Sequence, residues 1–252
     1  QSFKPTIEFE DLTYNFVTDF EKFLYESGYQ TNTVAKHMKH LKSFVNAAIN
    51  KGYIDPNNYA FRRYKIKMKE GKHVFLLPEE MKKLEEVSLT GRNSCLEHTL
   101  DAFLFCCYTG LRYSDFVNLN EKNIVKIDGK LWLIFDSVKT GTEVKLPLNL
   151  LFEGKALTLL QKYQGKWSSF FSIKNNSSVN KELIRIGKLA KISKHFSFHS
   201  ARHTNATLLI YKGANITTVQ KLLGHKNLAT TQIYGEVMGS TIIRDLKKCQ
   251  KR

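Results

Sequence analysis

The sequence predicts a mainly α-helical protein that carries one small antiparallel β-sheet or hairpin, and three observations support that class. Apolar residues return every three or four positions through the first 50 residues, the period of amphipathic helices. Two short runs, Leu131-Trp132-Leu133-Ile134-Phe135 and Glu143-Val144-Lys145-Leu146-Pro147-Leu148, flank the turn signal Lys139-Thr140-Gly141. Hydrophobic residues make up 42% of the 252 positions and only four are proline, enough apolar material for two compact domains and little to break helices.

Each element follows in order. Phe9, Leu12, Phe16, Phe20, Phe23 and Leu24 share one face of a helix spanning 9–25, ended by Gly28. A second helix is expected to open at the capping run Thr31-Asn32-Thr33, with Val34, Met38, Leu41, Val45, Ala48 and Ile49 on one stripe, and to stop near Gly52. Its other positions include Lys36, His37, Lys39, His40 and Lys42, and no acidic residue lies between Gly28 and Ile54. The stretch 55–72, with Arg62, Arg63, Lys65, Lys67, Lys69 and Lys72, reads as an irregular basic linker. Leu77-Pro78-Glu79-Glu80 begins a new helix, since proline and acids suit a first turn. The boundary is therefore placed to give a helical domain with a basic linker over 1–73 and a second domain over 74–252. Within the second, a helix from about Leu96 ends at Thr109-Gly110, a short helix runs from Tyr113 to Leu119, and the hairpin follows. The polar stretch Lys174 to Asn180 reads as a surface loop, and Val237 to Leu246, with Ile242, Ile243 and Leu246, as a closing helix.

The formal net charge of +16 is spread along the chain, which points to a polyanion partner, because lysine and arginine gain affinity by releasing counterions condensed on nucleic acid. Lys36, Lys39, Lys42, Arg62 and Arg63 are the candidate DNA contacts; a solvated basic face is the plainer alternative. The four cysteines, Cys95, Cys106, Cys107 and Cys249, form no C-x-x-C pair, so a reducing cytoplasm is expected and a zinc site is not. No run is long and apolar enough for a membrane span. A G-x-x-x-x-G-K-[ST] loop and a carboxylate metal cluster are both lacking, so no metal or nucleotide cofactor is expected.

The residues that carry chemistry come in spaced runs: Thr109-Gly110-Leu111-Arg112-Tyr113-Ser114-Asp115, then Phe198-His199-Ser200-Ala201-Arg202-His203-Thr204, then Leu222-Leu223-Gly224-His225 with Tyr234 nine positions further on. Metal-free cleavage of a phosphodiester needs a nucleophile, cations for the pentacoordinate state and an acid for the leaving oxygen. Arginine suits the second task because its planar fork meets two phosphate oxygens and keeps its charge. His199 and Arg202, three residues apart, share a helical face. His203, beside Arg202, points elsewhere on such a helix and reads as structural.

These runs resemble the boxes of the tyrosine recombinases, or phage-type integrases, over nearly the whole chain. The resemblance implies a helical core-binding domain followed by a catalytic domain, and a catalytic set of Arg112, Lys139, His199, Arg202, His225 and Tyr234. Lys139, in Ser137-Val138-Lys139-Thr140-Gly141, matches the family's mobile general acid, with Lys145 in the next strand as its competitor. It further implies a 3′-phosphotyrosyl intermediate, strand exchange through a Holliday junction, and a homotetramer on double-stranded DNA recombination sites. Exchange of the C-terminal helix between protomers, accessory DNA-bending proteins and a cytoplasmic, nucleoid-associated setting belong to the same expectation. The chain opens at Gln1 without an initiator methionine or the family's frequent arm-binding domain; further sequence in front is expected, whether it is an arm-binding domain stays open, and a missing front domain favours a mobile-element integrase over a housekeeping resolvase. Two other readings remain open: a type IB topoisomerase-like enzyme and a catalytically silent DNA-binding regulator.

Overall fold

A computed structural model describes residues 3–4, 6–69, 71 and 73–235. The chain divides into two compact units, 1–72 and 73–252. In the first, α1 (Tyr14–Glu26) is capped by Thr13, whose side chain accepts from the Phe16 N–H, so the helix starts later than the apolar period implies and Phe9 falls in a separate single turn. Helix α2 (Thr31–Asn50) packs on it, burying Val34, Met38, Val45 and Ala48 against Val17 and Leu24. The expected cap Asn32 does something else: its side-chain amide donates to the Lys69 carbonyl and accepts from the Lys69 N–H, both at 2.9 Å. The stretch expected to be a linker also contributes to this core, because Ala60 and Phe61 are buried in it beside Ile54.

The second unit is organised around α4 (Glu97–Thr109), in which every residue from Thr99 to Thr109 is buried. A helix that is buried all round must be covered on every side; α3 (Pro78–Glu86), α6 (Lys155–Lys162), α7 (Trp167–Phe171), α8 (Asn176–Leu189) and α9 (Phe198–Tyr211) supply that cover. The thiols of Cys106 and Cys107 lie fully inside, and burial pushes both pKa values up, so they act as small core side chains. The short α5 (Tyr113–Val117) follows α4 directly.

Three antiparallel strands, β1 (Ile124–Ile127), β2 (Lys130–Asp136) and β3 (Glu143–Pro147), form the sheet in the order β1-β2-β3. The expected hairpin is β2-β3, with Leu133 opposite Leu146; β1 extends it through a tight Asp128-Gly129 turn in which both residues have positive φ. The polar stretch from Lys174 is not all loop: Asn175 accepts from the Ser178 N–H and starts α8, whose Val179, Leu183 and Ile186 recur at helical spacing and are buried. Helices α10 (Ile216–Leu223) and α11 (Ala229–Gln232) close the described chain. The expected helix at 237–246 lies outside the described residues.

Candidate active site

Arg112 is the residue before the first turn of α5, where the chain reverses out of α4. Its Nη1 donates to Ser137 Oγ at 3.0 Å and reaches Asp115 Oδ2 at 3.4 Å, one helical turn away. Asp115 is buried, and its carboxylate also accepts from Ser137 Oγ at 3.3 Å and from the Val138 N–H at 2.9 Å. One carboxylate thus orients the arginine and pins the turn that carries Lys139. That turn is closed by bonds from the Thr140 and Gly141 N–H groups to the Ser137 carbonyl, and it leaves Lys139 exposed. Lys145, the competitor, is paired with Glu143 at 2.8 Å on the exposed face of β3.

Arg202 is held differently. It is only 3% exposed, and its guanidinium donates to the Gly110 carbonyl at 2.8 Å and to the Leu223 carbonyl. Both acceptors lie at helix C-termini, the ends of α4 and α10, where Gly110 and Gly224 adopt left-handed φ of 75° and 62°. Last-turn carbonyls lack intrahelical partners and sit at the negative end of the helix dipole, so a buried guanidinium satisfies them while they stabilise its charge. Gly110 has no room for a side chain: a Cβ there would meet Leu223 Cδ2 at 2.5 Å and Asn205 Oδ1 at 2.8 Å.

Burial, followed by Arg112, pushes the Arg202 pKa down to about 9, which leaves the group charged at neutral pH. His199, in the first turn of α9, keeps an exposed edge, yet its pKa is lowered by desolvation and then by Arg202, Arg112, Lys139 and His73. His225 follows Gly224; its Nδ1 lies 2.8 Å from Thr231 Oγ1, and burial together with Arg202 and Arg112 pushes its pKa down to about 4. Both imidazoles are therefore neutral at physiological pH.

Tyr234 comes just after α11 and is 5% exposed, packed with Ala206, Ile210, Val219 and Leu223. Burial raises its phenol pKa, while Arg202 and Arg112 pull it down. Its hydroxyl lies 3.0 Å from His203 Nδ1. His203, expected to be structural, thus faces the tyrosine, and its ring also lies 4.7 Å from those of His199 and His73. Asp115, Ser137 and His203 stand inside the sequence runs, and Thr231 between His225 and Tyr234, without a catalytic role having been given to them; His73 stands outside the runs, and all five are site neighbours. Asp115 had a signal, three residues after Arg112 on a helix; nothing in the sequence pairs His203 with Tyr234, 31 residues away.

The six chemistry-bearing candidates therefore come together, from the α4-α5 junction, the β2-β3 turn, the start of α9 and the chain following α10. The candidate DNA contacts lie in the first unit. Lys36, Lys39, Arg62 and Arg63 are exposed there and Lys42 is half-buried. Lys39 Nζ lies 2.9 Å from Met68 Sδ, and Arg62 Nη2 donates to the Pro56 carbonyl at 3.2 Å. Among the described residues no group of three or more His, Cys, Asp or Glu is arranged to hold a metal ion, and no helix is long and apolar enough to cross a membrane.

A model of the phage integrase family matches residues 74–239, and one of the phage integrase SAM-like domain matches residues 1–67. Tyrosine recombinase XerC of Oceanobacillus iheyensis is 30% identical over 241 residues, covering 90% of this chain and 77% of its own length. Among solved structures, a lambda integrase dimer bound to a COC′ core site superposes with a TM-score of 0.76 at 19% identity, covering 94% of this chain and 84% of that one. A lambda integrase tetramer bound to a Holliday junction gives 0.74 at 20% identity, covering 92% and 66%. The Tn1549 transposon integrase in complex with a circular intermediate DNA gives 0.72 at 18% identity, covering 94% and 85%. These last likenesses concern the fold. The chain belongs to the phage integrase family. It is a tyrosine recombinase, an enzyme of DNA strand transesterification.

Proposed function

We propose that this chain is a site-specific DNA recombinase in which Tyr234 is the nucleophile. The observation that carries the reading is the position of the Tyr234 phenol within the fields of Arg112 and Arg202, two cations from distant stretches of chain. In this reading the arginines hold the non-bridging oxygens of the scissile phosphate and the charge that grows on them. The Tyr234 oxygen forms a bond to phosphorus, the bond from phosphorus to the 5′ oxygen breaks, and Lys139 gives that oxygen its proton. His199 and His225, both neutral, donate hydrogen bonds to the phosphate. The reverse reaction, with the 5′ hydroxyl of a partner strand, rejoins the DNA. The phosphotyrosine keeps the phosphodiester's energy, so neither metal nor nucleotide is consumed.

On the same reading Lys36, Lys39, Lys42, Arg62 and Arg63 contact the DNA backbone. Two duplexes are exchanged by a tetramer through a Holliday junction, an assembly supported by the lambda integrase complex. Exchange of the C-terminal helix between protomers, accessory DNA-bending proteins and a cytoplasmic site of action on nucleoid DNA complete the proposal. The duplexes are the ends of a mobile element and its target. A second reading, a chromosomal recombinase of the XerC kind, is favoured by the 30% identity to that relative.

A nicked suicide duplex tests the chemistry: the wild type should leave a covalent adduct on a denaturing gel, and Tyr234→Phe should leave none while still binding DNA. An adduct in that variant refutes the assignment. Strand exchange between two duplexes, as opposed to relaxation of one supercoiled circle, separates recombination from topoisomerase-like resealing. Footprinting on the DNA flanking the coding region separates the two biological readings.

A further inference from the structure

We propose that His203 is the general base of this reaction, taking the phenolic proton from Tyr234 as its oxygen attacks phosphorus; the proposal rests on Tyr234 being the nucleophile. A phenol that forms a bond to phosphorus must lose its proton, and the acceptor must stand within hydrogen-bond reach. His203 Nδ1 stands 3.0 Å from the Tyr234 hydroxyl, which has no other hydrogen-bond partner among the described residues. The other candidates are spent or unsuitable. His225 Nδ1 is engaged by Thr231, Arg112 and Arg202 are already protonated, and His199 meets the His203 ring edge-on rather than the phenol.

In the tautomer with Nδ1 bare, the hydrogen bond runs from phenol to imidazole along the path of the transfer. The groups facing His203 are His199 and Arg202 on its own helix, His73, His225 and Tyr234. Burial, followed by the electrostatic effect of His199, His73, Arg202 and His225, pushes the imidazole's pKa down to about 3, so it is neutral at physiological pH. A phosphodiester entering among the same cations brings a negative charge that raises the imidazole's proton affinity. The base thus becomes competent when DNA is in place. In cleavage the O–H bond of Tyr234 breaks and an Nδ1–H bond forms, while the leaving 5′ oxygen takes its proton from Lys139. In rejoining, the attacking 5′ hydroxyl returns a proton to Lys139 and the His203 imidazolium returns one to Tyr234, so each turnover closes without a further proton donor.

The test uses the full chain and the nicked suicide duplex under single-turnover conditions across a range of pH. His203→Asn places an amide oxygen about where Nδ1 stood, so the phenol stays oriented but loses its base; His203→Ala removes both. Adduct formation at neutral pH should fall about 10²- to 10⁴-fold in both variants. The deficit should narrow as pH rises, because hydroxide replaces the missing acceptor. Melting temperature and duplex binding are read on the same samples, and His203→Asn carries the test if His203→Ala fails to fold. A near-wild-type rate in His203→Asn, or a deficit of equal size at every pH, overturns the proposal. Tyr234→Phe in the same assay separates the two claims: an adduct there removes the nucleophile, whereas no adduct there with an unimpaired His203→Asn removes only the base.

Discussion

Asp115→Ala removes the one carboxylate that ties Arg112 to the Lys139 turn. The residue is 2% exposed and accepts from the Val138 N–H at 2.9 Å and Ser137 Oγ at 3.3 Å, with Arg112 Nη1 at 3.4 Å. A hydrogen bond to a charged group contributes about 1.5–3 kcal/mol, and breaking a buried ion pair from one side costs about 3–5 kcal/mol. These figures overlap because they describe the same desolvated charge, so the sum is held at about 3–5 kcal/mol. For a unit of this size that is a melting-temperature drop of roughly 6–20 °C. Cleavage should suffer beyond the stability loss. The Arg112 fork and the Lys139 turn both lose their anchor, and a displacement of about 1 Å in a positioned group costs on the order of 10²-fold in rate. Thermal melting by circular dichroism and single-turnover cleavage, measured well below the melting point, read the two effects separately. Melting within about 2 °C of wild type, against the scaling above, would show that the carboxylate does not hold this junction together. Wild-type cleavage at reduced stability would show that Arg112 and Lys139 do not depend on it.

Gly110→Ala should destabilise by about 2–5 kcal/mol, the sum of a left-handed φ and an overpacked contact, since its Cβ would sit 2.5 Å from Leu223 Cδ2; unchanged melting refutes the packing account. Acid should unfold the second unit early. His225 and His203 have folded pKa values of about 4 and about 3, below the ordinary value, so the unfolded chain binds more protons. Stability is then full above about pH 6.5 and is lost as pH falls through that value toward the folded pKa, by at most about 1.4 kcal/mol per pH unit for each histidine. His225→Gln should flatten the acid limb of a melting-temperature profile, and an unchanged limb excludes this histidine as a source. Lys36→Ala with Lys39→Ala should flatten the salt dependence of DNA affinity by about 0.9 in log-log slope for each phosphate that is no longer neutralised; an identical slope places these lysines off the DNA.

What the sequence made legible is what local rules govern. Gly110 could be read as a helix stop because it follows an apolar run, and the structure gives it a left-handed φ; Gly224 ends α10 in the same way, a stop the sequence reading did not mark. The run from His225 to Tyr234 is short enough for its spacing to carry meaning. Periodicity located α1 and α2 but put the start of α1 too early, since it registers burial and not the Thr13 cap. The polar first turn of α8 looked like a loop because its capping residues resemble turn residues; only the later recurrence of Val179, Leu183 and Ile186 marks a helix.

The site itself depends on contacts for which no local rule exists. Arg202 reaches the Gly110 carbonyl 92 residues back and the Leu223 carbonyl 21 residues on, so the glycines that stop two helices also present the acceptors that hold a buried cation. Stopping a helix and seating an arginine are thus one requirement, which a sequence pattern registers as two unrelated features. The same logic explains why His203 read as structural. On a helix it diverges from Arg202, and only the fold returns the chain after α10 so that Tyr234 meets it. Arg202 is braced on helix ends while His203 meets the phenol from the next position of α9, so one rigid helix presents the phosphate cation and the proposed proton acceptor in fixed relation. A shift of α9 would move both together, and a local change at either one should leave the other in place.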